Sequence, residues 1–162
     1  MRAAQAGDRD AFGELYTRFS RFVHGLLLAR VGPTDAADLT QDVFLRAWTR
    51  LGELRDPAAF PGWIATMARR RAVDHFRAGV PEDELVDRFP ARGSPETTAE
   101  AHAALAAIQA LPDAYRETLS LRLVEGLSGP EIAVLTGLTP DSVRVNLHRG
   151  FALLRDRLER RT

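Results

Sequence analysis

Residues 36–51 constrain the fold of this chain more than any other segment. Ala36, Thr40, Val43, Phe44, Ala47 and Leu51 recur at spacings of three and four, so a helix gathers them on one face. Asp38, Asp42, Leu45, Arg46 and Thr49 then fall on the opposite face, with Gln41 within the same segment. Water suits the charged members of that outer face but not Leu45. Spacing alone leaves two readings: an acidic, partly apolar face that docks on another protein, or an amphipathic helix with one exposed leucine.

The same period runs through the rest of the chain, and no alternating strand pattern or long repeat interrupts it. A first helix is predicted over 11–29, with Phe12, Leu15, Tyr16, Phe19, Val23, Leu26 and Leu27 as its stripe. Gly32-Pro33-Thr34-Asp35 is a turn, with Thr34 or Asp35 as the expected N-cap of the second helix. A third helix is predicted over 59–77. Residues 79–97 collect Gly79, Pro81, Pro90, Gly93 and Pro95 among several acids, which is linker composition, although 82–89 could form a helical turn. Beyond them, helices are predicted over 99–111 and from Asp113, where Tyr115, Leu119, Leu123 and Val124 are the apolar positions. The expected architecture is all-α: two small helical domains, 1–78 and 98–162, joined by a flexible linker that leaves them free to reorient, the alternative being that the halves pack together when free.

The last third carries a helix-turn-helix pattern. Ser128-Gly-Pro-Glu131 forms a capping box, Gly137 marks a turn, and Thr139-Pro140 opens a helix reaching about Leu158. In this arrangement the second helix enters the major groove and its N-terminal residues reach base edges. Leu138, Val143, Leu147 and Leu154 are expected to face inward. Ser142, Arg144, Val145, Asn146, His148 and Arg149 remain for the outside, where asparagine suits adenine and arginine suits guanine or phosphate.

Composition then has to be divided to be useful. The 22 basic residues, all arginine, balance 22 acids, which looks wrong for a DNA-binding chain. Residues 1–78 carry +3, 79–110 carry −4 and 111–162 carry +1, so two mildly basic ends flank an acidic middle. There is no cysteine, so disulfides and thiolate zinc sites within these 162 residues are excluded. No apolar h-region follows Met1, and the run 22–31 is too short and too interrupted to span a bilayer, which leads to the expectation of a cytoplasmic protein. His24, His75, His102 and His148 are scattered without metal spacing, and no nucleophile–base pair or phosphate-cradling loop is visible. Arg69, Arg70, Arg71 and Arg77 cluster on the third helix, where Trp63, Arg70, Asp74 and Arg77 share a stripe. Arginine interleaved with an exposed aromatic suits unstacked nucleic acid.

Together these segments resemble the extracytoplasmic-function group of bacterial sigma factors. The likeness rests on Ala11-Phe12…Leu15-Tyr16, Asp38-Leu-Thr-Gln-Asp-Val-Phe-Leu-Arg-Ala-Trp48, Arg55-Asp-Pro57, Ala59-Phe60…Trp63-Ile64 and Ala68-Arg69…Ala72-Val-Asp74 in the first half. In the second half it rests on Leu111-Pro112…Arg116, Glu125-Gly-Leu-Ser128, Glu131-Ile-Ala133 and Val143-Arg144…Leu147-His-Arg149. The resemblance implies roles. Asp38, Gln41, Asp42, Leu45, Arg46 and Thr49 would contact core RNA polymerase at its β′ clamp helices, and the β subunit would be a further partner. The loop 52–61 and the helix after it, with Arg55, Phe60, Trp63, Arg69, Arg70, Asp74 and Arg77, would recognise and melt the minus-ten element. Arg116, Ser142, Arg144, Val145, Asn146, His148 and Arg149 would read the minus-thirty-five element as duplex. The family has no enzymatic activity or cofactor, and its members are commonly held by an anti-sigma factor, which can tether them at a membrane. Arg70, Asn146 and Phe151 depart from residues the family often uses there, so weak binding to free DNA is expected. A helix-turn-helix regulator acting on duplex DNA unaided would leave 38–48 without a role, and a protein-only adaptor would leave the recognition helix without one.

Overall fold

Local capping decides where the helices begin. In the structure, a computed structural model, residues 1–79 and 99–160 are described. The Asp8 carboxylate accepts from the Asp10 and Ala11 amides and starts α2 (Arg9–Leu28), after a single turn of α1 (Arg2–Gln5). Helix α3 (Pro33–Arg50) starts two to three positions earlier than expected: Gly32 is its N-cap and Pro33 occupies the first turn, where its fixed φ is already helical and its missing N–H costs nothing. Two 3-10 turns, Leu51–Glu53 and Pro57–Ala59, lead into α4 (Phe60–Gly79). The second half holds α5 (Ala99–Gln109), α6 (Asp113–Leu123), α7 (Gly129–Thr136) and α8 (Pro140–Glu159). No strand occurs among the described residues. The expected linker, including the helical turn at 82–89, lies outside them apart from Gly79.

Helices α2, α3 and α4 pack in a triangle. The inner face of α3 is the one the spacing defined: Ala36, Thr40, Val43, Phe44, Ala47 and Leu51 are all buried. They meet Phe22, Val23, Leu26 and Leu27 of α2 and Phe60, Ile64, Ala68 and Ala72 of α4. In the second half, Leu119 and Leu154 join Ala107, Ile108 and Leu111 in a separate cluster. Gly150 packs closely there: a Cβ would lie 3.0 Å from Leu119 Cδ1, so the leucine would have to shift.

The halves do not stand apart. Leu121, Leu127, Ile132, Ala133 and Val143 of the second half belong to the same apolar cluster as α2, α3 and α4. Helix α6 lies on α2, and α7 lies on α4. At the crossing of α2 and α6 a Cβ on Gly25 would sit 2.7 Å from Leu121 Cδ2 and 2.9 Å from Glu125 Cγ. The Ser120 hydroxyl donates to Gly25 O across 2.9 Å, and the Gln109 amide donates to Leu28 O and Val31 O, finishing the C-terminus of α2 from the other half. The expectation of freely reorienting halves is therefore corrected for the described residues. It failed because α6 is buried on two sides. Leu119 faces one cluster and Leu121 the other, while Leu123 and Val124, read as core, are each 48% exposed. Leu138, also read as core, is exposed beyond the Gly137 turn.

Candidate nucleic-acid interface

The helix-turn-helix is built by its caps. Ser128 Oγ accepts from the Glu131 amide while the Glu131 carboxylate accepts from the Ser128 amide, the reciprocal capping box. Gly137 ends α7 at φ +73°, a left-handed conformation that favours glycine. Thr139 Oγ1 then accepts from the Ser142 amide and starts α8. Val143 is buried, so the first turns of α8 are anchored on one side and open on the other. Ser142, Arg144, Val145, His148 and Arg149 are exposed, and Asn146 is half-buried. The Ser142 hydroxyl accepts from Thr139 Oγ1, and Arg144 forms an exposed 3.3 Å pair with Asp141, a weak contact in water. Arg116 is engaged locally: its guanidinium pairs with Asp113 and donates to Gln109 O at the end of α5.

The α4 face is less open than its sequence implies. Arg69, Arg70, Val73, Asp74 and Arg77 line a shallow groove of about 450 Å³. Arg70, Asp74 and Arg77 are exposed, as is Arg55 in the preceding loop. Arg69 is engaged by the other half: its Nε and Nη2 reach the two oxygens of Glu117 at 2.9 and 3.0 Å. Arg30 grips the same carboxylate from α2. Burial alone would push the Glu117 carboxyl up, but the hydrogen bond from Arg69 and the two guanidinium charges outweigh it and hold it below its ordinary value. Phe60 was expected to touch DNA. It is 1% exposed, sandwiched against Phe19 at 4.9 Å and Trp63 at 5.9 Å, so it supports half-buried Trp63 from below and has no face for a base.

On α3, Asp38, Gln41, Leu45, Arg46 and Thr49 are exposed, Leu45 at 67%. Beside Leu45 opens an apolar groove of about 510 Å³, lined by Arg9, Phe12, Tyr16, Gln41, Phe44, Leu45 and Trp48. Its floor is aromatic, with Phe12 on Trp48 at 4.9 Å and Tyr16 on Phe44 at 4.7 Å. Asp42 corrects the sequence reading: Arg71 reaches across from α4 to its carboxylate, and Arg46 stands 3.2 Å from the same oxygen. Partial burial works against its charge, but the Arg71 hydrogen bond and the two arginine charges keep it below the ordinary aspartate value. It is a tie between α3 and α4. Sequence reasoning missed the pairing of Arg71 with Asp42 and of Arg30 with Glu117, because these partners are 29 and 87 positions apart and no helical spacing links them.

Two family descriptions match the chain in order: Sigma-70 region 2 over residues 15–80 and Sigma-70 region 4 over residues 101–154. The RNA polymerase sigma factor CarQ of Myxococcus xanthus is 32% identical over 169 residues, covering 98% of this chain and 95% of that one. The chain belongs to the extracytoplasmic-function sigma factors. Another relative, the sigma factor BldN of Streptomyces coelicolor, is 34% identical over 93% of this chain. This sigma factor spans 61% of the length of BldN and 43% of the length of the Xanthomonas campestris protein RfaY, described as a probable sigma factor. Among solved structures, CnrH in complex with the cytosolic domain of CnrY superposes with a TM-score of 0.67 at 26% identity, covering 99% of this chain and 96% of that one. The sigma factor RpoE of Bartonella quintana, in complex with the anti-sigma factor NepR, shares the fold at a TM-score of 0.62 and 16% identity. No helix among the described residues is long and apolar enough to cross a membrane.

Proposed function

We propose that this sigma factor directs bacterial core RNA polymerase to specific promoters and helps to melt them. The observation that carries the reading is the coexistence, in one chain, of two unrelated exposed surfaces. One is the α3 face with Leu45 and its aromatic groove, fit for a protein helix. The other is the capped first half of α8, fit for a major groove. A duplex-binding regulator has no use for the first, and a protein adaptor has none for the second.

In this reading Asp38, Gln41, Leu45, Arg46 and Thr49 hold polymerase at its β′ clamp helices. Arg55, Trp63, Arg69, Arg70, Asp74 and Arg77 meet the minus-ten strand, and Ser142, Arg144, Val145, Asn146, His148 and Arg149 meet the minus-thirty-five duplex. Residues 79–97 divide these tasks. The chemistry of RNA synthesis belongs to the polymerase, and the protein works in the cytoplasm, where an anti-sigma factor holds it or tethers it. The Glu117 contact gives the reading a condition: Arg69 meets DNA once it is released from Glu117. Near-zero net charge also leaves little general attraction for phosphate.

Fluorescence anisotropy on labelled promoter duplex tests this. Purified protein alone should bind weakly at physiological salt, and addition of core polymerase should create a tight, promoter-dependent complex. Equal, sequence-specific binding without polymerase would replace this reading with that of a stand-alone regulator.

A further inference from the structure

The N-terminal turn α1 was notable in sequence only for lacking an apolar run. Its last residue, Gln5, lies outside both matched family regions. In the fold Ala4 is buried and Met1 packs on the same cluster, so α1 is fixed against the main body. That anchoring places the half-buried Gln5 amide over the end of α3. Gln5 Nε2 donates to Leu51 O at 3.1 Å and to Leu54 O at 2.7 Å, 46 and 49 positions away. These carbonyls belong to the turn that closes α3: Leu51 O already accepts from the Leu54 amide at 3.2 Å, and Gln5 adds a second donor there and ties Leu54 O as well. Leu54 then leaves in an extended conformation, and the loop passes through exposed Arg55 to Asp56, whose carboxylate accepts from the Ala58 amide at 3.0 Å.

We infer that Gln5 is a positioning residue for minus-ten recognition. This rests on the proposed sigma-factor reading, in which the loop 52–61 meets the melted strand. The loop has two pins. Asp56 holds its C-terminal side locally, and Gln5 holds its N-terminal side from a remote element. Leu51 and Leu54 are buried, whereas Arg55, which lies between the pins, is exposed, as is the 3-10 turn that follows Asp56. The direction in which Arg55 is presented therefore depends on the two carbonyls that Gln5 holds.

Gln5→Met keeps the length and apolar stem but removes the donor. Gln5→Lys restores donation to both carbonyls, and its charge suits the C-terminal end of α3. Run-off transcription with core polymerase would use two promoter libraries, one randomised at minus ten and one at minus thirty-five. In Q5M, base preference at minus ten should fall by about tenfold, the order of losing one or two neutral hydrogen bonds. Preference at minus thirty-five and affinity for core polymerase should stay at wild-type levels, and Q5K should recover the minus-ten preference. Hydrogen exchange of the free protein reads the pin separately: amides of residues 52–56 should exchange faster in Q5M and not in Q5K. Retained minus-ten preference in Q5M overturns the inference, as does equal loss at both elements, failure of Q5K to rescue, or unchanged exchange. A wild-type protein that gives no promoter-dependent transcript overturns the sigma-factor reading beneath it, whatever the exchange shows.

Discussion

Asp42 shows how one side chain can change meaning between sequence and structure. On a helical wheel it belongs to the outer face of α3, and reversing its charge would be expected to harm polymerase binding alone. In the fold it faces Arg71 and Arg46, so Asp42→Arg sets three cations together. A loss of about 1–2 kcal/mol in urea denaturation at pH 7 is expected, because the pair is partly shielded from water. Asp42→Asn should lose less at pH 7. Since the folded carboxyl titrates below its ordinary 3.8, the tie stabilises the protein above that pH and is lost as pH falls through the lower folded value. The gap between wild type and Asp42→Asn should therefore close in acid. Leu45→Arg is the cleaner probe of docking: Leu45 is exposed, so pull-down of core polymerase should fail while the melting curve stays within about 0.5 kcal/mol of wild type.

Among the elements, the helices of the first half and the helix-turn-helix were legible because their signals are local. Capping residues, a glycine with positive φ and spacings of three and four all act within a few positions. Removing the Ser128 cap should accordingly cost about 1 kcal/mol, seen as a lower urea midpoint with an unchanged slope. For α8, Arg144→Ala and Arg149→Ala should each reduce the salt slope of promoter binding by about one unit if the side chain meets a phosphate. The face of α6 was not legible. Its leucines look like one stripe with scatter, but the helix is wedged between two cores, and periodicity describes only helices with one wet side. The α2–α6 crossing was hidden for another reason. It is made by Gly25 and Ser120, with Gln109 of α5 beside it, residues that look like interruptions of an apolar pattern and serve as a close approach and as donors to backbone carbonyls.

For the whole molecule, the ion cluster of Arg30, Arg69 and Glu117 joins both halves and holds one arginine assigned to the minus-ten strand. In the proposed reading, closure and promoter opening compete for Arg69. Glu117→Ala leaves two arginines unpaired at a half-dry interface and should cost about 3 kcal/mol, with a larger radius of gyration in solution scattering. Glu117 titrates below its ordinary 4.5, so its contribution is present above that pH and disappears as pH falls through the lower folded value. Scattering followed from pH 7 into acid should show the wild type expanding as the pH falls through that lower value. Whether closed or open, the protein has one task in the proposed reading, giving promoter choice to a polymerase that lacks it. The most direct measurement is run-off transcription by core RNA polymerase on a fragmented genomic template, with and without this protein. Discrete transcripts from a restricted set of start sites should appear only when it is present. An unchanged transcript pattern, with the folded protein bound or unbound, would contradict the account.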